Sequence, residues 1–157
     1  MDTDLLEHIA LPKSIVDGLW DATRTAYPFE ACGLLSGISS KNRATATSLD
    51  LVPNRVRGIN GFAITRQDIE DLSKSKVFHP IALFHSHRQT AAPSQSDIEA
   101  MRQQPLIWVI AASGNPPSGR AFHLRAFIWR RARVMELVIK EITNDNIVDA
   151  CTSSGKH

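Results

Sequence analysis

The segment IALFHSH, residues 81–87, decides the fold of this chain, because an apolar run ends there in two histidines. Residues 81–85 are short and apolar, which is typical of a buried central strand. Residues two apart on a strand point to the same face of the sheet. His85 and His87 are therefore predicted to aim two imidazoles at one point beyond the end of this strand.

A third candidate ligand follows on the next predicted helix, which starts at Ser94 and stops before Pro105. Asp97 lies at the start of this helix, where its carboxylate can join the two histidines. Two imidazole nitrogens and one carboxylate oxygen leave the fourth tetrahedral position of zinc open to water, as in catalytic sites. Bound zinc lowers the pKa of water to roughly 7. The pattern predicts one catalytic Zn²⁺ per chain, held by His85, His87 and Asp97.

Two side chains suit the proton transfers of amide hydrolysis. Glu30 lies just before the apolar stretch 32–38, so that its side chain can reach over the edge of the sheet. A carboxylate placed there can take a proton from water and pass one to the leaving amine. Ser94 can donate a hydrogen bond to the tetrahedral oxyanion. We predict Glu30 as general acid/base and Ser94 as the oxyanion donor.

Each of these residues also has a structural explanation. Ser94 and Asp97 have the spacing of a helix capping box, a histidine on a strand is usually satisfied by hydrogen bonds, and Glu30 alone would be a surface carboxylate. The combination is harder to explain in this way. Two histidines, a serine and an aspartate at fixed offsets arise by chance in roughly one chain in several thousand.

Outward from this segment, the sequence predicts a mixed α/β (α+β) domain with a largely antiparallel sheet. Helices are predicted over residues 12–26, from Thr65 and from Ser94, and Thr65 and Asp68 have capping-box spacing. The other predicted strands are residues 32–38, 44–52, 62–64, 106–112, 121–129 and 134–142. Residues 1–143 are expected to form a single domain, and 144–157 a frayed tail.

The composition predicts an ordinary cytoplasmic protein. The 157 residues are 43% hydrophobic and 22% charged, as in soluble globular proteins. Two cysteines, Cys32 and Cys151, are too few for a disulfide framework. No apolar run approaches the roughly 20 residues that span a bilayer, and three acidic residues within positions 1–8 argue against a signal peptide. No membrane association is expected.

The net charge of +2 is too small to predict a nucleic-acid partner. The densest basic cluster, Arg130, Arg131 and Arg133, follows an apolar run and is predicted to be a solvated hairpin turn. Arg55 and Arg57 lie in the predicted loop 53–61. They are interpreted either as solvated or as a grip on an acidic face or carboxylate terminus of a substrate.

The set Glu30, His85-Ser86-His87, Ser94 and Asp97 resembles the JAMM motif of the MPN-type, or JAB-type, metallopeptidases. The segment YPFEACGLLSG, residues 27–37, is similar to the compact bacterial and archaeal members. Asn54 and residues 108–110 are similar too. The resemblance extends from about residue 8 to residue 142.

This resemblance implies an MPN/cytidine-deaminase-like fold, with a central mixed sheet flanked by helices, and one catalytic zinc ion. The resemblance implies that His85, His87 and Asp97 bind the zinc ion. It also implies that Glu30 is the general acid/base and that Ser94 stabilises the oxyanion. Family members cut peptide or isopeptide bonds after the C-terminal Gly-Gly of ubiquitin or ubiquitin-like proteins. Compact bacterial forms are similar to those that trim sulfur carriers. The implied partner is therefore a ubiquitin-like or sulfur-carrier protein, and the oligomeric state, with a homodimer among the options, is left open.

Two departures from the family pattern lie beside the motif. Arg88 stands where the family usually has proline, and six residues separate His87 from Ser94 where the usual count is seven. We expect metal binding to survive, because the helix carrying Asp97 can slide or rotate slightly. The main alternative is a non-catalytic MPN scaffold, against which the intact motif argues. A zinc hydrolase of small amides, a DNA-repair relative and a divalent ion other than zinc are also left open.

Overall fold

The computed structural model describes residues 1–75, 79–114, 117 and 122–143. The helices are α1 (Lys13–Ala26), α2 (Arg66–Ser75) and α3 (Gln95–Met101). The strands are β1 (His8–Pro12), β2 (Cys32–Ser40), β3 (Arg43–Val52), β4 (Pro80–His87), β5 (Ile107–Ala112), β6 (His123–Arg130) and β7 (Arg133–Ile142). The predicted tail, residues 144–157, lies outside the described residues, so the predicted domain boundary stays a prediction.

The strands form one closed barrel in the order β1-β3-β2-β4-β5-β6-β7. β1 closes it by pairing in parallel with both β3 and β7. Among the described strands, β4 and β5 are also parallel, while the pairs β2–β3, β2–β4, β5–β6 and β6–β7 are antiparallel. The mixed α+β class is confirmed, but the expected central sheet flanked by helices is corrected to a barrel. β1 was not expected, because five residues are too few to show a period of two.

β4, which carries the two histidines, is the middle strand in this order of seven. It runs between β2 and β5, and His85 faces Cys32 on one neighbour and Ile110 on the other. The strand is longer than the predicted 81–85, because His87 still pairs with Ala112 of β5. Both histidines are therefore held by regular sheet hydrogen bonding rather than by a loop.

The core occupies the barrel interior and the face covered by α1. Its buried side chains include Ile9, Leu19, Leu35, Phe84 and Val109. Each of the large ones stabilises the fold by about 1.5–3 kcal/mol. A second, smaller cluster joins α3 and the preceding loop to the sheet, and it consists of Ala91, Met101, Trp108, Ile110, Ala112 and Phe127. This second cluster fixes α3 beside the end of β4.

The loop between β3 and α2 differs from the prediction at residues 62–64, which do not form a strand. Asn54 organises this loop instead. Its side-chain amide donates to the carbonyl oxygens of Glu30 (2.9 Å) and Gly61 (3.0 Å). Its side-chain oxygen accepts from the backbone N–H groups of Val56 (2.9 Å) and Ala63 (3.2 Å). The short apolar run therefore satisfies its backbone through a side chain, which a strand pattern does not reveal.

The predicted capping box of α2 is confirmed. The N–H of Asp68 donates to Thr65 Oγ1 (3.1 Å), and the N–H of Thr65 donates to Asp68 Oδ2 (2.9 Å). Arg55 also donates to Asp68 Oδ1 over 2.8 Å. Arg55 therefore pairs with Asp68 while its side chain stays 53% exposed, which agrees with the interpretation of it as a solvated side chain. The alternative of a substrate grip stays a prediction.

The basic cluster forms a hairpin turn between β6 and β7, as predicted, with Arg131 and Ala132 at positive φ. Arg130 is half-buried, however, and forms hydrogen bonds within the protein. Its Nη1 donates to the carbonyl oxygens of Thr3, Asp4 and Leu6 at 2.8–3.1 Å. It thereby ties the N-terminal segment to the barrel.

Each helix among the described residues is too short or too polar to cross a membrane.

Candidate metal centre

Three donor atoms converge at the end of β4. The Nε2 atoms of His85 and His87 lie 3.0 Å apart, because the two residues share one face of the strand. Asp97 Oδ2 lies 3.2 Å from His85 Nε2 and 3.1 Å from His87 Nε2. The structure thus brings together the three residues that the sequence nominates, in a nearly equilateral triangle.

This triangle fits a single small cation. In tetrahedral sites with zinc–ligand bonds of roughly 2.0–2.1 Å, neighbouring ligand atoms lie about 3.3 Å apart. The observed separations of 3.0–3.2 Å are close to that value. Among the described residues, the cysteine offers no competing ligand, because Cys32 Sγ lies against Val52 O at 3.6 Å. Burial raises the pKa of its thiol to about 11.

His87 is oriented by the loop that follows β4. Its Nδ1 lies 3.1 Å from Thr90 O, so Nδ1 carries a proton and Nε2 is the atom that faces Asp97. Such a second hydrogen bond is typical of metal-binding histidines. Burial acts to lower the pKa of His87, but the neighbouring Asp97 and Glu30 carboxylates outweigh it and the pKa is raised. A cation entering the triangle would compete with a proton for the Nε2 atom of His87.

His85 is oriented by packing. The side chain is completely buried, and burial lowers its pKa, so the ring is neutral near pH 7. Its Nδ1 has no hydrogen-bond partner among the described residues. Phe62 stacks on the ring at 4.3 Å between centroids, and Trp108 meets it edge-on at 5.7 Å. Two aromatic side chains therefore take the place of the usual hydrogen bond.

Asp97 has a capping role and also faces the histidines. The Ser94 N–H donates to Asp97 Oδ2 (2.8 Å), and the Asp97 N–H donates to Ser94 Oγ (3.2 Å). Burial acts to raise the pKa of Asp97, but hydrogen bonds from His85, His87 and Ser94 hold it well below its usual range. The capping role of this pair therefore does not exclude a role in the metal site.

The shorter loop after β4 does not displace Asp97. Its six residues are anchored by Ala91, which is 3% exposed and packs in the cluster with Met101 and Trp108. This packing positions α3 so that the Asp97 carboxylate still reaches both histidines. The expectation that metal binding survives the shorter loop stays a prediction.

Glu30 lies beside the triangle and is not a surface carboxylate. It is 7% exposed, and its Oε1 lies 3.4 Å from His87 Nε2. Its Oε2 accepts the backbone N–H of Gly61. Burial raises the pKa of Glu30, although His87 and the Gly61 N–H oppose the shift. A buried carboxyl whose pKa is raised toward neutrality is suited to proton transfer.

Two carboxylates could complete a metal site with the histidines. Donor atoms of Glu30, His85 and His87 lie within 4.8 Å of one another. Asp97 Oδ2 is closer, and it lies almost equally far from both imidazoles. Glu30 forms an ion-pair contact only with His87, and its other oxygen is held by Gly61. The geometry favours Asp97 as the third ligand and leaves Glu30 free to act on a water molecule.

Ser94 lines the cleft, but its hydroxyl oxygen is partly engaged. The oxygen accepts the Asp97 N–H and lies 3.0 Å from Ser96 Oγ. The hydroxyl hydrogen can still turn toward the cleft, because either serine can be the donor in that contact. Its oxyanion role stays a prediction.

A cleft of about 360 Å³ opens over these residues. Its lining includes residues 59–61 from the loop before α2, and residues 88–90 with Ala92 from the loop after β4. Phe62 and Thr90 belong to the site but were not nominated by the sequence. Phe62 looked like part of a strand, and Thr90 contributes only a backbone carbonyl, so neither carried a recognisable signal.

A family model described as prokaryotic homologs of the JAB domain matches residues 12–125. That match covers well over half of the chain. The chain belongs to the prokaryotic JAB-domain family. The resemblance of its motif to JAB-type proteins is thereby confirmed. None of the curated proteins matches the chain.

Solved structures of the same fold come from bacteria and an archaeon. A protein of Desulfitobacterium hafniense has a TM-score of 0.73 and 22% identity, covering 87% of this chain and 94% of its own. A protein of Salinibacter ruber has a TM-score of 0.64 and 18% identity, with 87% and 93% covered. A JAB1/MPN domain protein from Archaeoglobus fulgidus has a TM-score of 0.51 and 17% identity, with 84% and 99% covered. At these identities the likeness shows a shared fold.

Proposed function

We propose that this prokaryotic JAB-domain protein is a zinc-dependent metallopeptidase that hydrolyses a peptide or isopeptide bond. The observation that carries the proposal is the triangle of His85, His87 and Asp97 donor atoms at 3.0–3.2 Å, with the Glu30 carboxylate beside it. A scaffold domain has no need for two histidines converging on a buried carboxylate. Such a group is costly to bury unless a cation or protons compensate it.

In this proposal His85, His87 and Asp97 hold the zinc ion. When bound, the metal supplies Lewis acidity and lowers the pKa of water. Glu30 takes the proton of the attacking water and later gives one to the departing nitrogen, which its raised pKa favours. The Ser94 hydroxyl donates a hydrogen bond to the oxyanion. His87 keeps its lone pair directed at the site through Thr90.

The proposed substrate is the C-terminal Gly-Gly of a ubiquitin-like or sulfur-carrier protein. The support is the JAMM-type motif, and the cleft between residues 59–61 and 88–92 is consistent with it. An extended glycine tail has little side-chain volume, so a cleft of about 360 Å³ can accept it. An extended peptide can also use backbone hydrogen bonds for affinity.

The test is the zinc content and activity of purified variants. Wild type should hold close to one zinc per chain and His87→Ala should hold none, whereas His123→Ala, which removes an exposed histidine, should match wild type. Glu30→Gln should retain zinc and lose about 10²–10⁴-fold in turnover of a Gly-Gly-tailed substrate. Asp97→Ala should lose the metal. Wild-type protein that takes up no zinc would leave the scaffold as the better explanation.

A further inference from the structure

Arg88 contributes a positively charged side chain to the lining of the cleft. It directly follows His87, at the end of β4, and its side chain is half-buried. Its Nη2 donates to Asn60 Oδ1, which belongs to another segment that lines the cleft, over 3.2 Å. The guanidinium therefore bridges two segments that line the cleft, residues 59–61 and residues 88–92.

This guanidinium retains unused hydrogen-bonding capacity. An arginine side chain has five N–H donors in a planar fork, and the bond to Asn60 uses one of them on a neutral amide. Within the described part of the chain, Arg88 forms no ion pair with a carboxylate, whereas Arg55 and Arg125 each do. Guanidinium groups with free donors are suited to bidentate binding of a carboxylate.

The charge balance of the cleft points the same way. Its charged lining residues are Glu30, Asp97 and Arg88, which sum to a formal charge of −1 with neutral histidines. A divalent cation held by the histidine–aspartate triangle changes this sum to +1. The loaded cleft would then attract an anionic substrate group and repel a cationic one.

We propose that Arg88 binds a carboxylate of the substrate close to the scissile bond and so determines specificity. The carboxylate belongs either to an acidic side chain after the cleaved bond or to the free C-terminus of a short extension. This inference rests on the proposed peptidase function. It gives a role to the position at which this chain departs from the proline usual in the family.

The experiment uses four peptides that share a Gly-Gly segment followed by Glu or Gln, each ending in a free acid or an amide. Zinc-loaded wild type, Arg88→Gln and the control Arg66→Gln, an exposed arginine of α2, are compared by kcat/KM. Wild type and Arg66→Gln should prefer the carboxylate-bearing peptides by about tenfold or more. In Arg88→Gln this ratio should fall to about one.

The peptide pairs distinguish the two carboxylate sources. A preference for Glu over Gln among amidated peptides assigns the acidic side chain, and a preference for acid over amide among Gln peptides assigns the C-terminus. Equal values of kcat/KM for all four peptides in wild type would overturn the proposal. An unchanged preference in Arg88→Gln would overturn it as well.

A binding measurement separates this inference from the proposed function. Calorimetric affinities of the same peptides are compared in metal-free and zinc-loaded protein, with and without the Arg88→Gln substitution. If zinc-loaded wild type cuts no peptide, the peptidase proposal fails. In that case the binding affinities still decide the role of Arg88. If neither metal-free nor zinc-loaded wild type binds the carboxylate-bearing peptides more tightly, the proposal for Arg88 fails.

Discussion

At the scale of single residues, the two histidines of β4 are held by different forces. His87 has a hydrogen bond to Thr90 O, whereas the Nδ1 of His85 has no partner among the described residues. The His85 ring is fixed by the aromatic contacts of Phe62 and Trp108. Because χ2 of histidine rotates easily without such contacts, Phe62 is expected to contribute to metal affinity although it offers no ligand atom.

Replacement of Phe62 should test this role. Phe62→Ala is expected to weaken zinc binding by about tenfold, the lower end of the effect of residues that support metal ligands. The measurement is competition with a chelating dye. Phe29→Ala is the matched control, because Phe29 is 48% exposed and forms none of the site's aromatic contacts. Equal zinc affinities in wild type and Phe62→Ala would show that the sheet alone positions His85.

Glu30 shows how far residue-level prediction extends. Its position before an apolar strand predicted a side chain at the edge of the sheet, and the structure places it 3.4 Å from His87. Its hydrogen bond to Gly61 could not be predicted, because that contact depends on a loop folded by Asn54. The identity of the residue was readable from the sequence, and its local environment was not.

At the scale of elements, the N-terminus of α3 carries both stability and the third donor. Ser94 is the N-cap, and Asp97 completes a reciprocal capping box. A lost N-cap typically costs about 1 kcal/mol. Since α3 is a helix of only seven residues, that cost falls on a short element.

We expect Ser94→Ala to lower the free energy of unfolding by about 1 kcal/mol, as measured by denaturant titration. Gln95→Ala is the control, because Gln95 is an exposed residue of the same helix and is not the cap. In Ser94→Thr the hydroxyl and most of the stability should remain. A fall in turnover for Ser94→Ala, at unchanged zinc content, would support the oxyanion role. Normal turnover in folded Ser94→Ala would argue against it.

The start of α2 depends on pH through Asp68. Hydrogen bonds from Arg55 and Thr65 hold the pKa of this carboxyl well below its usual value of 3.8. A pKa that is lower in the folded state means that the charged carboxylate of Asp68 is more stable in the native state than in the unfolded chain. Its stabilisation is therefore complete above about pH 4–5 and is lost as the pH falls through the folded pKa.

Asp68→Asn should test this linkage. Wild type should be more stable than Asp68→Asn near pH 7. The difference should shrink as the pH falls below about 3.8 toward the lower folded pKa, because the unfolded carboxylate then takes up a proton that the native one does not bind. Urea unfolding at a series of pH values measures it. Asp71→Asn, an exposed carboxylate of the same helix, should show a smaller difference. A pH-independent gap between wild type and Asp68→Asn would mean that the charge of Asp68 is not responsible.

At the scale of the whole molecule, the site joins parts of the chain that are far apart in sequence. Glu30 precedes β2, His85 and His87 end β4, and Asp97 begins α3. A cation bound between these elements would favour the native state, because the unfolded chain does not hold the ligands together. Metal binding and global stability are therefore expected to be linked.

Zinc at about 100 times its dissociation constant should raise the free energy of unfolding by about 2.7 kcal/mol. Thermal melts with and without zinc, and after a chelator, measure this shift in Tm. His87→Ala should show no shift, and His123→Ala should behave as wild type. A zinc-induced shift of equal size in His87→Ala would place the bound metal elsewhere on the protein.

The sequence by itself determined the order of most elements, the capping boxes and the residues that gather at the end of β4. Those features depend on local periodicity and on side-chain chemistry at short spacing. The tertiary structure alone decided that β1 closes a barrel, that Phe62 stacks on His85 and that Arg88 reaches Asn60. These contacts join residues distant along the chain, and their energies depend on packing that no local pattern records.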